Sequence, residues 1–215
     1  HIQLNSKMNL PKPLSENRFI EHMKSLANKN KCYRSYIGMG YYNTILPGVI
    51  QRNILENPGW YTSYTPYQAE IAQGRLEALL NFQTMVSDLT SMDLANASLL
   101  DEGTAAAEAM TMLYNCRSRN QKKENVKKIF VSKDCFPQTI DLLKTRSEPL
   151  EIELVIGDHT KVEFDKSFYA AIFQYPAKYG QINNYEALSN ELQEKEIAII
   201  AVSYTHLTLP TNREV

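Results

Sequence analysis

The chain has 215 residues, 43% of them hydrophobic and 22% charged, with 23 basic against 24 acidic side chains and a formal net charge of −1. That balance gives no electrostatic case for nucleic acid or an acidic membrane surface. No apolar run approaches the ~20 residues that span a bilayer, and the N-terminus lacks the shape of a signal peptide.

Three cysteines, Cys32, Cys116 and Cys135, stand far apart without a CxxC pair and read as free thiols of a reducing compartment. The chain opens on His1 rather than Met, so it is expected to begin inside a longer protein. Residues His1 to Leu14 are polar, carry Pro11 and Pro13, and read as an arm. Ser15 is placed to cap a helix with Phe19, Ile20, Met23 and Leu26 on one face, and Leu14 against Phe19 fits a hydrophobic staple. Next comes Tyr36-Ile37-Gly38-Met39-Gly40-Tyr41-Tyr42-Asn43. Two glycines around one residue allow a tight turn. Without a third glycine or a βαβ setting they are a weak phosphate signal, and a turn that seats Tyr41 and Tyr42 is the better reading. Pro47 to Leu55 reads as a short helix closed by Asn57-Pro58-Gly59.

A loop with Trp60, Tyr61, Tyr64 and Tyr67 follows. It either plugs a core or lines a pocket or subunit seam, and the residues alone favour the plug. Thr65 and Pro66 suit the cap and first position of a long helix, Gln68 to Leu89. Ile71, Ala78, Phe82, Met85 and Leu89 form its apolar face; Leu76, Leu79, Leu80 and Val86 widen that face, so burial on more than one side is expected. Gly74 inside it suggests close approach of another backbone. Ala95 to Leu100 reads as a short strand, and Asp101-Glu102-Gly103-Thr104 opens an Ala-rich helix. Arg117 to Lys128 reads as a solvated basic loop. Strands are expected at Lys128–Ser132, Glu151–Ile156, Phe168–Tyr175 and Ile197–Val202, and helices at Pro137–Thr145 and Tyr185–Glu194. Continuous apolar strands alternating with helices imply an α/β fold, a mainly parallel sheet with helices on both faces.

In such a sheet ligands bind beyond the carboxyl ends of the strands. One candidate is the Asp101–Thr104 turn, a helix start of the kind that binds anions. Its two carboxylates satisfy free N–H groups themselves and repel phosphate, so it reads as a capped start. The other is Tyr175-Pro176-Ala177-Lys178-Tyr179-Gly180. Lys178 there could form a Schiff base, although a solvated lysine is the commoner case. His1, His22, His159 and His206 form no metal-ligand pattern, and there is no GxSxG elbow, P-loop or kinase set.

Three stretches carry a family resemblance: Tyr36 to Asn43, Asn53 to Leu80, and Ala95-Asn-Ala-Ser-Leu-Leu-Asp-Glu-Gly-Thr-Ala-Ala-Ala-Glu-Ala109, with Tyr175-Pro176 and Lys178-Tyr179-Gly180 fitting too. From His1 to about Val202 the chain resembles the N-terminal half of glycine dehydrogenase (decarboxylating), the P-protein of the glycine cleavage system. The resemblance implies an incomplete large domain of a fold-type I pyridoxal phosphate (PLP) transferase with an N-terminal helical arm. It divides the chain into an arm with helices (1–57), a partial large domain (58–202) and a tail (203–215). It implies an enzyme that decarboxylates glycine with PLP and passes the aminomethyl group to the lipoyl arm of H-protein.

The family's PLP lysine lies in a His-Lys-Thr motif of the C-terminal half, or on a β subunit in split forms. This chain has no His-Lys-Thr, so the resemblance implies that PLP is bound by the other half and that this part is inactive alone. Its partners would be that C-terminal half or β subunit, lipoylated H-protein and glycine, in a homodimer or α2β2 assembly. The location would be the bacterial cytoplasm, or alternatively the mitochondrial matrix. The implied substrate-binding or half–half seam residues are Tyr41, Tyr42, Tyr64 and Tyr67, expected half-buried here; no catalytic, cofactor or metal residue is implied. A non-catalytic α/β scaffold or regulatory subunit is the alternative function, and a PLP enzyme using Lys178 a third. Two stretches depart from the family: Gly103 stands where Ala is expected, and Ser203 to Val215 is similar to translated adaptor sequence, expected to be poorly ordered and without a native role.

Overall fold

The computed structural model describes residues 3, 6, 8–41, 45–61 and 67–203. The chain divides into two compact units, His1–Tyr36 and a second that begins at Ile37. The first is built on helix α1 (Glu16–Ala27), which starts after Ser15 in extended conformation. The Ser15 hydroxyl makes no capping bond; instead the Ser15 carbonyl accepts from the Phe19 N–H at 2.9 Å. The amphipathic stripe expected from Phe19, Ile20, Met23 and Leu26 is present, and all four residues are exposed.

In the second unit, α2 (Gly48–Ile50) runs on as a π-helical turn, Gln51–Leu55, and α3 (Pro58–Tyr61) follows after Asn57. The expected single helix from Gln68 is instead a 3₁₀ turn, Ala69–Ile71, a break at Ala72, and α4 (Gln73–Thr90). Ala72 has φ −115° and ψ 16°, outside helical space, which stops the turn from merging with α4. Thr65 and Pro66 lie outside the described residues. The expected burial of this helix is also corrected. No residue of α4 is buried, and its apolar side chains Leu80, Met85 and Leu89 are exposed. Among the described residues Gly74 meets no atom within 4 Å of its would-be Cβ, so the expected close approach of another backbone is not seen there.

The expected strand at Ala95–Leu100 is irregular chain. Among the described residues no neighbouring strand takes up its ladder groups; the Ala95 carbonyl accepts from Gln83 Nε2 of α4 at 2.9 Å, and the Asn96 side chain turns back on the Ala97 N–H.

From Asp101 onward the expected helices and strands are present, and α6 is added in the stretch expected to be a loop. The elements are α5 (Glu102–Asn115), α6 (Arg119–Lys123), β1 (Lys128–Ser132), α7 (Pro137–Ser147), β2 (Glu153–Gly157), β3 (Phe168–Gln174), α8 (Glu186–Glu194) and β4 (Ala198–Val202). The strands form a parallel sheet in the order β2-β1-β3-β4. Among the described residues β4 pairs with β3 alone, leaving one apolar edge.

Helices α5 and α7 cover one face through Ala106, Ala107, Met110 and Leu143, packed on Ile129, Val131, Ala170 and Ile172. The other face is aromatic. Phe130 meets Phe164 edge-on at 5.1 Å and Phe173 at 5.9 Å, with Leu192 of α8 beside them. A bulge between Phe168 and Ala170 sends Tyr169 and Ala170 to the same face, so the Tyr169 hydroxyl reaches the Met110 carbonyl at 3.3 Å.

Arg117 to Lys128 is not a solvated loop. Ser118 and Gln121 make a capping box at α6. Arg117 donates to the carbonyls of Tyr114 and Val126 and stacks 3.6 Å over the Tyr114 ring, clamping α5 to the start of β1. Gly103 also has a reason: a Cβ there would stand 3.2 Å from Leu142 Cδ2, where α5 and α7 come close.

Candidate functional site

The carboxyl ends of β1, β2 and β3 lie together, and three loops leave them. After β1, the Ser132 hydroxyl accepts from the Asp134 N–H at 3.2 Å and its carbonyl from the Cys135 N–H at 3.1 Å, turning the chain into α7. After β2, Asp158 pairs with Lys133 at 2.8 Å and accepts from Thr160; these bonds hold its carboxyl far below the usual range. After β3, the Tyr175–Pro176 bond is cis and Ala177-Lys178 comes back over the β1 loop. Lys178 donates its N–H to the Asp134 carbonyl at 2.9 Å and its Nζ to the Lys133 carbonyl at 2.7 Å. Its ammonium also lies 5.1 Å from the Tyr179 ring. Lys178 is thus bound into backbone, tying one loop to the next.

Beside these loops stands the N-terminus of α5. Asp101 accepts the Thr104 N–H at 2.7 Å, and that capping lowers its carboxyl below the ordinary value. Glu102 goes the other way, raised by burial and then by the charge of Asp101, and its Oε2 is enclosed without a hydrogen-bond partner among the described residues. Cys135 is buried between the helices, its thiol pushed up to about 12 by burial and Asp134.

These residues do not fit PLP. The helix start that would face a phosphate is capped by one carboxylate and flanked by a second, and Lys178 Nζ is occupied by a carbonyl. Among the described residues no His, Cys, Asp and Glu group could hold a metal.

The Gly38–Tyr41 turn lands on this edge. The Tyr41 N–H donates to the Gly38 carbonyl at 3.0 Å, and Met39 and Gly40 between them have φ 51° and 88°. Both central residues at positive φ mark a type I′-like turn. Gly40 lies against the Phe136 ring and Glu102, and the Met39 carbonyl accepts from Gln138 Nε2 at 3.0 Å. The turn is therefore held by the first turns of α5 and α7.

Tyr41 leaves this turn 59% exposed and Tyr67 is 85% exposed, both more open than half-buried. Tyr42 and Tyr64 lie outside the described residues, as do residues 204–215 of the tail. Among the described residues no ring contact joins Tyr41 to Tyr67. Trp60 lines a separate open cleft of ≈ 330 Å³ with Gly59, Ile71, Ala72, Gly74 and Arg75; Arg75 Nη2 donates to the Gly59 carbonyl at 2.8 Å and fixes α3 to the start of α4. Sequence reasoning found the Gly38–Tyr41 turn but missed Gln138, whose partner is 99 residues away, and no local pattern marks such a pair.

Comparison with known proteins now places this arrangement. The family model described as "Glycine cleavage system P-protein" matches residues 1–212. Glycine dehydrogenase (decarboxylating) of Christiangramia forsetii is 62% identical over 86% of this chain and 19% of its own length. The Flavobacterium johnsoniae protein of the same name is 58% identical over 92% of this chain and 21% of its own. That of Synechocystis is 54% identical over 98% and 21%. A crystal structure of glycine decarboxylase (P-protein) of the glycine cleavage system, in inhibitor-bound form, matches with a TM-score of 0.80 and 25% identity over 93% of this chain and 45% of that one. The chain spans about a fifth of the curated relatives it matches. The chain belongs to the glycine cleavage system P-protein family.

Proposed function

We propose that this chain is the N-terminal part of a glycine dehydrogenase (decarboxylating), and that the whole protein releases the carboxyl group of glycine and passes the aminomethyl group to the lipoyl arm of H-protein. The observation that carries this is the 62% identity to the Christiangramia forsetii enzyme over 86% of the chain. PLP would be held by the rest of the protein, where it would supply an electron sink for the decarboxylation. The residues described above leave this chain a different role. Its carboxyl edge is closed by Asp101, Glu102 and Lys178, and it presents Tyr41 on a braced turn.

In this proposal Tyr41 and Tyr42, with Tyr64 and Tyr67, face the seam with the catalytic half and reach the glycine side of its pocket. There they bind and orient substrate and exclude water, while the proton and bond changes belong to the other half. The partners are that half, whether the same chain or a β subunit, and lipoylated H-protein, in a homodimer or α2β2 assembly. The relatives named above are bacterial, which supports the bacterial cytoplasm as the location.

The test is release of labelled carbon dioxide from carboxyl-labelled glycine by the complete PLP-loaded protein with lipoylated H-protein. Release is expected. A folded, PLP-loaded protein that releases none sinks the proposal.

A further inference from the structure

Three successive residues, Gly38, Met39 and Gly40, have φ of 67°, 51° and 88°. Met39 is the unusual one, since a side chain with a Cβ rarely adopts this conformation. Such backbone persists where its surroundings over-determine it, and it collects at ligand clamps and active sites. The surroundings here can be named. Gly40 fits between Phe136 Cε2 and Glu102 Oε1, which a Cβ would approach to 3.2 and 3.3 Å. These are steric walls, and among the described residues neither hydrogen-bonds to the turn. Among the described residues, the polar tie from the helices is Gln138 Nε2 to the Met39 carbonyl at 3.0 Å.

Gln138 is half-buried on the first turn of α7, one residue after Pro137, on a helix anchored in the core by Leu143. Its amide has a rigid base. The carbonyl it holds belongs to the peptide that joins Met39 to Gly40, so it sets the plane from which Gly40 and Tyr41 depart. A turn without this tie keeps its Gly38–Tyr41 bond but is free to rotate that peptide, which swings Tyr41.

We propose that Gln138 is a positioning residue for glycine binding: through the Met39 carbonyl it fixes the turn that aims Tyr41 at the substrate side of the pocket. This rests on the reading that Tyr41 faces that side. In this proposal Gln138 acts through the turn and not by contact with substrate or cofactor.

The test uses the complete PLP-loaded enzyme and four forms: wild type, Gln138→Met, Tyr41→Phe and the double variant. Gln138→Met keeps the side chain's length and removes the donor. The loss of one neutral hydrogen bond corresponds to a rise of about three- to tenfold in glycine KM, with kcat and bound PLP changing much less. Gln138→Lys, which restores a donor, brings KM back toward wild type. The double variant is no worse than the poorer single one, because both act through the same ring.

If Tyr41→Phe raises KM while Gln138→Met does not, the positioning role is wrong and the reading of Tyr41 survives. Effects that add in the double variant also overturn the proposal. If Tyr41→Phe leaves KM and the decarboxylation rate unchanged, the parent reading falls and this one with it. A uniform loss of kcat and bound PLP in Gln138→Met, unrepaired by Gln138→Lys, assigns the residue to folding and overturns the proposal.

Discussion

Gly40 is pressed against Phe136: a Cβ at residue 40 would stand 3.2 Å from the ring carbon Cε2, in a backbone already at φ 88°. The chain before the sheet and the first turn of α7 are thereby keyed together by a missing methyl group. Gly40→Ala should destabilise the protein by about 1–2 kcal/mol from the left-handed backbone alone, and further if the ring cannot move. Gly38→Ala has a similar φ of 67° but open space around it, so it should lower stability less. Urea unfolding of both variants checks this; equal effects would show that the contact with Phe136 does not matter.

The two carboxylates at the start of α5 should respond to pH in opposite senses. Asp101 is lowered by its bonds to Thr104, so its contribution is present above the ordinary carboxylate value and fades as pH falls through its folded value. Glu102 is raised by burial and by Asp101, so folding favours its protonated form; stability is greatest below the unfolded value of about 4.3 and declines as pH rises through the folded one. Glu102→Gln should therefore raise the thermal midpoint at neutral pH, with the gain shrinking toward acid. Asp101→Ala should lower it at neutral pH and matter less in acid. Midpoints of both variants across that range give the comparison, and a difference for Glu102→Gln that does not change with pH refutes the assignment.

The three thiols should separate cleanly. Cys32 and Cys116 are exposed, whereas Cys135 is enclosed and its thiol is pushed up to about 12. At about pH 8 a disulfide reagent should take up Cys32 and Cys116 quickly and Cys135 only after denaturation, since the thiolate is the reacting form. Peptide mapping of the modified protein identifies them. Rapid labelling of Cys135 in the folded state would mean that the α5–α7 packing is looser than described.

The parallel sheet was readable because its central strands, β1 and β3, are buried on both faces. Phe168 to Phe173 and Ala198 to Val202 are unbroken apolar runs, which few other settings tolerate. The bulge at Tyr169 was not readable, since it depends on how β1 and β3 share one register. Ala95–Leu100 misled because alternating apolar and polar residues, Ala95-Asn96-Ala97-Ser98-Leu99, resemble a strand whether or not a neighbour exists to complete its ladder. The long helix was right in type and wrong at its start, where the chain breaks at Ala72. Its burial was overstated, because periodicity shows which side is apolar and not what covers it. At the site, the capped helix start was legible from Asp101 and Thr104, whose spacing is local. The brace on the tyrosine turn was not, because Gln138 and Met39 meet only once the sheet has folded.

In the proposed function this chain serves a PLP enzyme without holding the cofactor. The most direct measurement is borohydride reduction of the complete PLP-loaded protein, followed by peptide mapping of the pyridoxyl label. The account predicts no label on any lysine of residues 1–215, Lys178 included, and a single labelled lysine elsewhere in the protein. A pyridoxyl group on Lys178 would contradict it.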